Sequence, residues 1–221
     1  MKSEKFATAI DKMRKKREIW TWRMLLCAAF FTLHSSLFIS CSEENTEEEE
    51  FANWQERNEG QTDQWAVRVS SGWYTKILTY AKEESTPGLK NSDYIYVEKL
   101  EKGDGTESPI YTDYVRVAYR GQLIPSKSYS EGYVFDQSFL GDFDWKTAGT
   151  ADFTVDGVVE GFATALMNMH VGDRWIVHVP YQLGYGATSM TGIPAYSDLT
   201  FEVALQSFWH ADEEGGKFKS R

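Results

Sequence analysis

A change in the spacing of apolar residues near position 90 constrains the fold of this chain more than any other feature. Beyond it, four segments have the alternation or the β-branched and aromatic content of strands: residues 94–100, 115–119, 175–179 and 199–205. One stripe at helical spacing interrupts them, formed by Val159, Phe162, Ala163, Leu166 and Met169. We therefore predict an α+β fold in which an antiparallel β-sheet wraps around one short α-helix.

Residues 51–86 contain no proline and have a different pattern. Large apolar residues recur three and four positions apart over the second part of this segment, in a series made of Trp54, Trp65, Val69, Trp73, Ile77 and Tyr80. The spacing predicts a helical extension whose apolar face packs on the following domain or on a second copy of the chain, as a homodimer. The break at 83–88 then separates this extension from a domain at 89–210, and residues 211–221 form a polar tail.

The first forty residues have the features of a secretory signal. Basic side chains at 14–17 and at Arg23 precede an apolar run of sixteen residues, which is marginal for a permanent membrane span. Residues 38–41 resemble a bacterial lipobox, and this resemblance implies cleavage after residue 40 and lipidation of Cys41. The chain would then be an outer-membrane lipoprotein of the cell envelope, on the periplasmic side or at the cell surface. The alternative is an uncleaved signal anchor with an incidental cysteine.

Residues 41–50 are strongly acidic and predict a tether between the lipid anchor and the domain. One interpretation is a solvated segment that repels itself and holds the domain off the membrane. The other is a sorting function, because an acidic patch behind a lipidated cysteine resembles the surface-export signal of Bacteroidetes lipoproteins.

Composition excludes several functions. Outside residues 1–40 the chain carries 15 basic and 30 acidic side chains, so we expect no nucleic-acid binding. Two cysteines cannot form a disulfide framework, and none of the four histidines has metal-ligand spacing. His178 alternates with Val177 and Val179 and should point to the opposite face of its strand. No nucleophile elbow, phosphate loop or dinucleotide motif occurs, so we expect no metal and no cofactor.

Six blocks between residues 94 and 207 resemble the FKBP family, the macrolide-binding peptidyl-prolyl cis–trans isomerases. The segment 111–121 resembles the family's Val-x-Val-x-Tyr-x-Gly strand, and 134–138 resembles its Phe-Asp-Ser strand end. The other four blocks are the passage into the helix at 153–162, the helix exit at 165–175, the Ala-Tyr-Gly element at 183–186, and the Ile-Pro element at 193–201. The blocks follow one another in the family's order.

The resemblance implies the residues of an aromatic substrate pocket. Those given a catalytic role are Tyr119, Phe135, Asp136, Tyr185 and Phe201. Those given a substrate-binding role are Phe153, Val158, Val159, Phe162 and Ile193. The chain departs from the family pattern at Phe162, where the family has a floor tryptophan, and at Ala151, where many members carry another aromatic residue. These departures, and a shortened loop before Ile193, bear on macrolide binding more than on isomerase activity.

Such a pocket implies peptidyl-prolyl isomerisation without covalent chemistry, acting on proline-containing unfolded or exported polypeptides. The bond preceding proline rotates over a barrier of about 18–20 kcal/mol, and the uncatalysed exchange takes tens of seconds or longer. Two alternatives remain at this point. The first is a catalytically weak proline-binding module or holdase chaperone anchored to the envelope. The second is an envelope scaffold in which residues 51–85 bind a partner.

Overall fold

The computed structural model describes residues 49–211 and 219–220. The predicted signal peptide (1–40), Cys41 and most of the acidic tether lie outside the described residues, as does most of the polar tail. The described residues belong to one compact unit, Glu47–Arg221. Within them, no helix has the length and apolar character needed to cross a membrane.

Within residues 49–211 and 219–220, the fold has two complete α-helices and eight strands. The helices are α1 (Trp54–Ser70) and α2 (Glu160–Leu166). The strands are β1 (Thr75–Leu78), β2 (Tyr94–Glu101), β3 (Tyr114–Leu123), β4 (Val134–Gln137), β5 (Ala151–Thr154), β6 (Arg174–Val179), β7 (Leu199–Trp209) and β8 (Lys219–Ser220).

All strand pairs are antiparallel, and the sheet runs in the order β1-β2-β6-β7-β3-β4. Strand β5 pairs with the first half of β3, and β4 pairs with its second half. The long pairing of β3 with β7 joins Tyr114 to Trp209 at one end and Leu123 to Leu199 at the other. The predicted α+β class, with its antiparallel sheet, short helix and preceding helical segment, is confirmed.

The predicted helical extension over 51–86 is correct only in its first part, since α1 ends at Ser70. Gly72 adopts a left-handed conformation (φ +78°) and donates its N–H to the carbonyl of Val69, which terminates the helix. Ile77 then lies in β1 opposite Ile95, so residues 75–78 are part of the sheet. The regular spacing of Trp73, Ile77 and Tyr80 therefore does not mark a helix face, and the domain begins before residue 89.

Helix α1 packs on this chain's own sheet. Trp54 and Trp65 are 6% and 2% exposed, and the ring of Trp65 stacks on His178 of β6 with centroids 4.7 Å apart. His178 does point away from Val177 and Val179, as the alternation predicts, but helix α1 covers that face. The first of the two predicted packing modes, on the following domain, is therefore present. A homodimer through residues 51–86 stays a prediction.

Helix α2 packs on the other face of the sheet at very short range. A Cβ atom added to Gly161 would lie 2.4 Å from Cγ1 of Val179, so only glycine allows this approach. Phe162 and Leu166 on the same helix are 3% and 0% exposed. This contact fixes the height of α2 above the sheet, and with it the position of the Phe162 ring.

Two glycine substitutions in the two helices should change stability in opposite directions. Gly161→Ala should lower the free energy of unfolding by about 1–3 kcal/mol, because the added methyl overpacks against Val179. Gly60→Ala in the middle of α1 meets nothing within 4 Å and should raise it by up to about 1 kcal/mol, because alanine is the better helix former. Urea unfolding of both variants measures the difference, and a loss of stability in Gly60→Ala would contradict the described helix.

Candidate active site

Ring contacts join the predicted aromatic residues in two groups. Phe201 of β7 contacts two of them: its ring centroid is 4.6 Å from that of Phe162 and 5.9 Å from that of Phe135. Tyr119 of β3 packs edge-on against Phe153 of β5, with centroids 5.4 Å apart. These five rings come from β3, β4, β5, β7 and α2, and all of them pack in one hydrophobic core cluster.

Gly121 of β3 makes this arrangement possible. A Cβ atom at this position would lie 2.6 Å from Cζ of Phe135 and 3.0 Å from Cε1 of Phe201. The absence of a side chain therefore lets both rings lie directly on the strand. Sequence reasoning treated Gly121 as the end of the strand, whereas β3 continues to Leu123 and the glycine is a packing position.

The predicted residues differ in exposure, and we call the set of them the cup. Four members, which we call its base, are each 3–7% exposed: Tyr119, Phe162, Ile193 and Phe201. Four others are half-buried and pack against the same core: Phe135, Phe153, Val158 and Val159. Tyr185 is 37% exposed at the margin. The apolar surface is therefore partly open to solvent.

Polar groups lie at one side of the cup. The hydroxyl of Tyr119 donates a hydrogen bond of 2.5 Å to Oδ2 of Asp136, an exposed residue on β4. Burial and this hydrogen bond raise the pKa of Tyr119 well above its usual range. Burial and the charge of Asp136 also raise the pKa of Tyr185, so both phenols remain protonated donors at neutral pH.

Val159 lies at the boundary between the cup and helix α2. It is the N-cap residue of α2, with an extended backbone, and its carbonyl accepts the N–H groups of Phe162 and Ala163. Its side chain, like that of Val158, packs against the core while remaining partly exposed. The loop from 184 to 198 supplies Tyr185 and Ile193, and a pair of backbone hydrogen bonds between Met190 and Ile193 closes its tip.

The length of the segment 122–133 predicts a rim that contacts the substrate beyond the proline, formed by this segment together with Arg120, Pro125 and Trp145. The structure places Trp145 in a second apolar cluster that contains Ala118 and Phe139, on the face of β3 opposite Tyr119. Arg120 lies over the ring of Phe139 in that same cluster. These two residues therefore do not belong to the aromatic cup.

The end of the acidic tether binds the loop that precedes β4. Glu50 is 8% exposed and accepts hydrogen bonds from the hydroxyls of Ser126 and Ser128 and from the Ser128 N–H. The two hydroxyls are the main reason that the pKa of Glu50 is lowered to about 2. Glu49 forms an ion pair of 2.6 Å with Lys127. The solvated-tether interpretation therefore does not hold for residues 49 and 50.

Comparison with known proteins agrees with this geometry. Residues 105–206 match the family model described as FKBP-type peptidyl-prolyl cis-trans isomerase. The chain is 30% identical over 189 residues to the Macrophage infectivity potentiator of Trypanosoma cruzi, covering 85% of this chain and 84% of that protein. It is 38% identical over 107 residues to the FKBP-type 22 kDa peptidyl-prolyl cis-trans isomerase of Escherichia coli, covering 48% of this chain and 46% of the relative.

Among solved structures, the chain is similar to a peptidyl-prolyl cis-trans isomerase from Pseudomonas syringae pv. tomato, at 31% identity and a TM-score of 0.43, covering 58% of this chain and 86% of the other. The family model and the curated relatives show that the chain belongs to the FKBP-type peptidyl-prolyl cis–trans isomerases. It is an enzyme of the isomerase class, as the six sequence blocks predict. Its match spans about half the length of the Escherichia coli relative.

Proposed function

We propose that the cup around Phe201 binds the proline ring of an extended polypeptide and accelerates rotation about the preceding amide bond. The observation that carries this proposal is the graded burial of the predicted residues. Four half-buried apolar side chains pack in the same cluster as four buried ones. The half-buried side chains therefore offer an apolar ring a surface to pack on without displacing the core.

Rotation requires no bond to the enzyme. The planar amide is stabilised by resonance, and the twisted amide at the top of the barrier carries less charge separation. An apolar surface that excludes water disfavours the polar planar state relative to the twisted one. Hydrogen-bond donors that fit only the twisted geometry add transition-state stabilisation.

We assign the hydrogen-bond donors and the apolar contacts of the substrate from the positions of the residues in the cup. Phe135, Phe153 and Phe201 wall the proline ring, with Phe162 and Ile193 beneath it. The hydroxyl of Tyr185 donates to a substrate carbonyl, as does the backbone N–H of Val159, beside Val158. Asp136 holds the Tyr119 hydroxyl and orients that side of the cup. In this role Asp136 acts through Tyr119 and does not exchange protons with the substrate.

The test is cis–trans exchange in a proline-containing tetrapeptide, followed with the full chain in a protease-coupled assay or by NMR exchange spectroscopy. The wild-type chain should accelerate exchange in proportion to enzyme concentration. Tyr185→Phe should lower kcat/KM about threefold to tenfold, because one hydrogen bond to the substrate is lost. Tyr129→Phe, which removes a phenol hydroxyl from an exposed residue on another loop, is the matched control. A wild-type chain without turnover would refute the proposal.

A holdase is the second candidate function, favoured by Phe162 at the family's tryptophan position. A holdase would bind unfolded chains through the same cup with little rate acceleration. Suppression of aggregation of a reduced, unfolded protein by a chain that shows no turnover would support it. Macrolide binding, proposed to be weak because Phe162 lacks an indole N–H, is tested by titrating the same isomerase assay with a macrolide.

We also propose that the enzyme serves exported proteins from the cell envelope, through a lipid on Cys41. Expression in a bacterium with radiolabelled palmitate should label the wild-type chain, and Cys41→Ser should abolish labelling, while Cys27→Ser should not affect it. Labelling that persists in Cys41→Ser would exclude this anchor. The partners that we propose are the membrane and proline-containing polypeptides. Nucleic acid is not a proposed partner.

A further inference from the structure

Three side chains of helix α1 reach the loop at residues 181–198, which we call the active-site loop because it carries Tyr185 and Ile193. They are Trp54, Asn58 and Thr62, spaced four residues apart on one face of the helix. All three are buried, with exposures of 6%, 0% and 5%. Asn58 and Thr62 are polar, and a helix that packs on an apolar core does not require polar side chains there. Their hydrogen-bond partners therefore indicate what these two residues do.

The indole of Trp54 is hydrogen-bonded to the active-site loop. Its indole N–H donates to the hydroxyl of Ser197 at 2.8 Å, and that hydroxyl donates in turn to the carbonyl of Pro194 at 2.7 Å. Pro194 directly follows Ile193, a residue of the cup base. A two-step hydrogen-bonded path therefore connects the start of α1 to the substrate-binding side of the active-site loop.

Asp198 joins the two ends of the active-site loop. It is 0% exposed and accepts the hydroxyl of Thr62 at 2.9 Å through Oδ2. Its other oxygen accepts the N–H of Tyr181, the first residue of the loop, at 2.8 Å. The N–H of Asp198 itself donates to Oδ1 of Asn58 at 2.8 Å. Both ends of the loop are thereby bound to the same face of α1.

The active-site loop needs such support because one of its residues has a strained backbone conformation. Tyr196 has a left-handed backbone (φ 61°), which is costly for a residue with a side chain, and its N–H donates to the carbonyl of Gly186. Removing one partner from a buried polar network leaves the others unpaired, which costs more than the lost hydrogen bond alone. Loss of a contact from α1 should therefore disturb the loop rather than only the helix.

We propose that Trp54, Asn58 and Thr62 are positioning residues for the isomerase site, which hold Tyr185 and Ile193 in their substrate-binding positions through Ser197 and Asp198. The inference rests on the proposed function of the cup. It gives α1 a role in activity, in place of the scaffold role that the sequence alone leaves open for this segment.

The test compares Thr62→Val with Thr62→Ser in the full chain. Valine keeps the shape of threonine but removes the hydroxyl that Asp198 accepts, whereas serine keeps the hydroxyl. Thr62→Val should raise KM about threefold to tenfold with a smaller change in kcat, because a displaced loop weakens the contacts of Ile193 and Tyr185 with the bound substrate. It should also speed amide hydrogen exchange in residues 181–198. Thr62→Ser should restore both properties to within about twofold of the wild type.

Asp173→Asn is the matched control. It alters another buried carboxylate, 4% exposed, which accepts two backbone N–H groups just before β6, at the opposite end of that strand from the active-site loop. KM and loop exchange should not change in this variant. Unchanged KM and loop exchange in Thr62→Val, failure of Thr62→Ser to restore them, or an equal effect in Asp173→Asn would each overturn the inference.

Two further outcomes are assigned in advance. If Thr62→Val does not fold, Ser197→Ala, which removes the hydroxyl that lies between the indole N–H of Trp54 and the carbonyl of Pro194, decides the question by the same two measurements. If the wild-type chain shows no turnover, the proposed function fails, and the exchange of residues 181–198 alone then decides whether α1 holds the loop.

Discussion

Phe135→Ala is expected to lower kcat/KM about 10- to 100-fold while the chain stays folded. The ring of Phe135 is half-buried, lies on Gly121 and contacts Phe201, so its free side faces the position proposed for the proline ring. Burying a phenylalanine side chain contributes about 1.5–3 kcal/mol. Each 1.4 kcal/mol of lost transition-state binding reduces the rate tenfold, which sets the expected range.

The appropriate control removes an equivalent ring from the other face of β3. Phe143 is partly buried in the cluster with Phe139 and Trp145, with ring centroids 5.5 Å and 5.1 Å away. Phe143→Ala should lower stability without changing kcat/KM by more than about twofold. Equal losses of activity in the two variants would mean that Phe135 acts through the stability of the sheet, and the assigned cup would then be wrong.

Sequence pattern predicts the sheet well because its strands obey simple alternation. Val115, Val117 and Tyr119 are buried while Arg116 and Arg120 between and beyond them are not, and in β6 Trp175 and Val177 are buried on either side of the half-buried Ile176. Strand β1 was missed because residues 75–78 are half exposed and follow a helix whose spacing they continue by coincidence. Only the pairing of Ile77 with Ile95, a contact between distant parts of the chain, defines that strand.

The candidate site, like the fold, has a part that the sequence predicts and a part that it does not. The aromatic residues could be assigned because each lies in a short local motif, and the fold brings their rings together. The network of Asn58, Thr62 and Asp198 could not be predicted, since it joins positions 136 to 140 residues apart and neither Asn58 nor Thr62 lies in a motif. The one available signal was a pair of polar residues on the helix face marked by Trp54 and Trp65. When the segment that packs on this helix face is not known, the sequence does not distinguish a buried asparagine there from an exposed one.

Two buried titratable groups beneath α1 should give this enzyme opposing dependences of stability on pH. His178 is 9% exposed between Trp65 and Tyr74, and burial, assisted by the charge of Arg68, lowers its pKa from 6.5 to about 3. Asp198 is fully buried, and burial raises its pKa from 3.8 to about 7 against the opposing effect of its hydrogen bonds. The two groups lie against the same helix and have shifts of opposite sign.

The signs follow from proton binding. Between pH 6.5 and 3 the unfolded chain protonates His178 while the folded chain does not, so the free energy of unfolding falls as the pH falls. Between pH 3.8 and 7 the folded chain keeps Asp198 protonated while the unfolded chain loses that proton, so the free energy of unfolding falls as the pH rises. In the shared window, each group changes the free energy of unfolding by up to about 1.4 kcal/mol per pH unit, and the two changes oppose each other.

Single substitutions should separate these two contributions. His178→Asn retains a group that can reach the Thr200 hydroxyl, now 2.9 Å from Nδ1, but cannot be protonated. Its stability relative to the wild type should improve steadily from pH 6.5 down to pH 4. Asp198→Asn should show the reverse, improving relative to the wild type from pH 4 up to pH 7. Urea unfolding at one-unit intervals from pH 4 to pH 8 measures both differences.

His170→Asn, at a side chain that is 42% exposed, is the control for the loss of a histidine. Difference curves for His178→Asn and Asp198→Asn that run parallel to the pH axis would show that neither group is buried as described. Curves of opposite slope would instead show that α1 stays docked from pH 4 to pH 7 because the wild-type chain balances the two groups. Below pH 3.8 Asp198 no longer opposes the loss of stability, and His178 and Glu50, whose pKa values are lowered to about 3 and about 2, both reduce the free energy of unfolding as the pH falls.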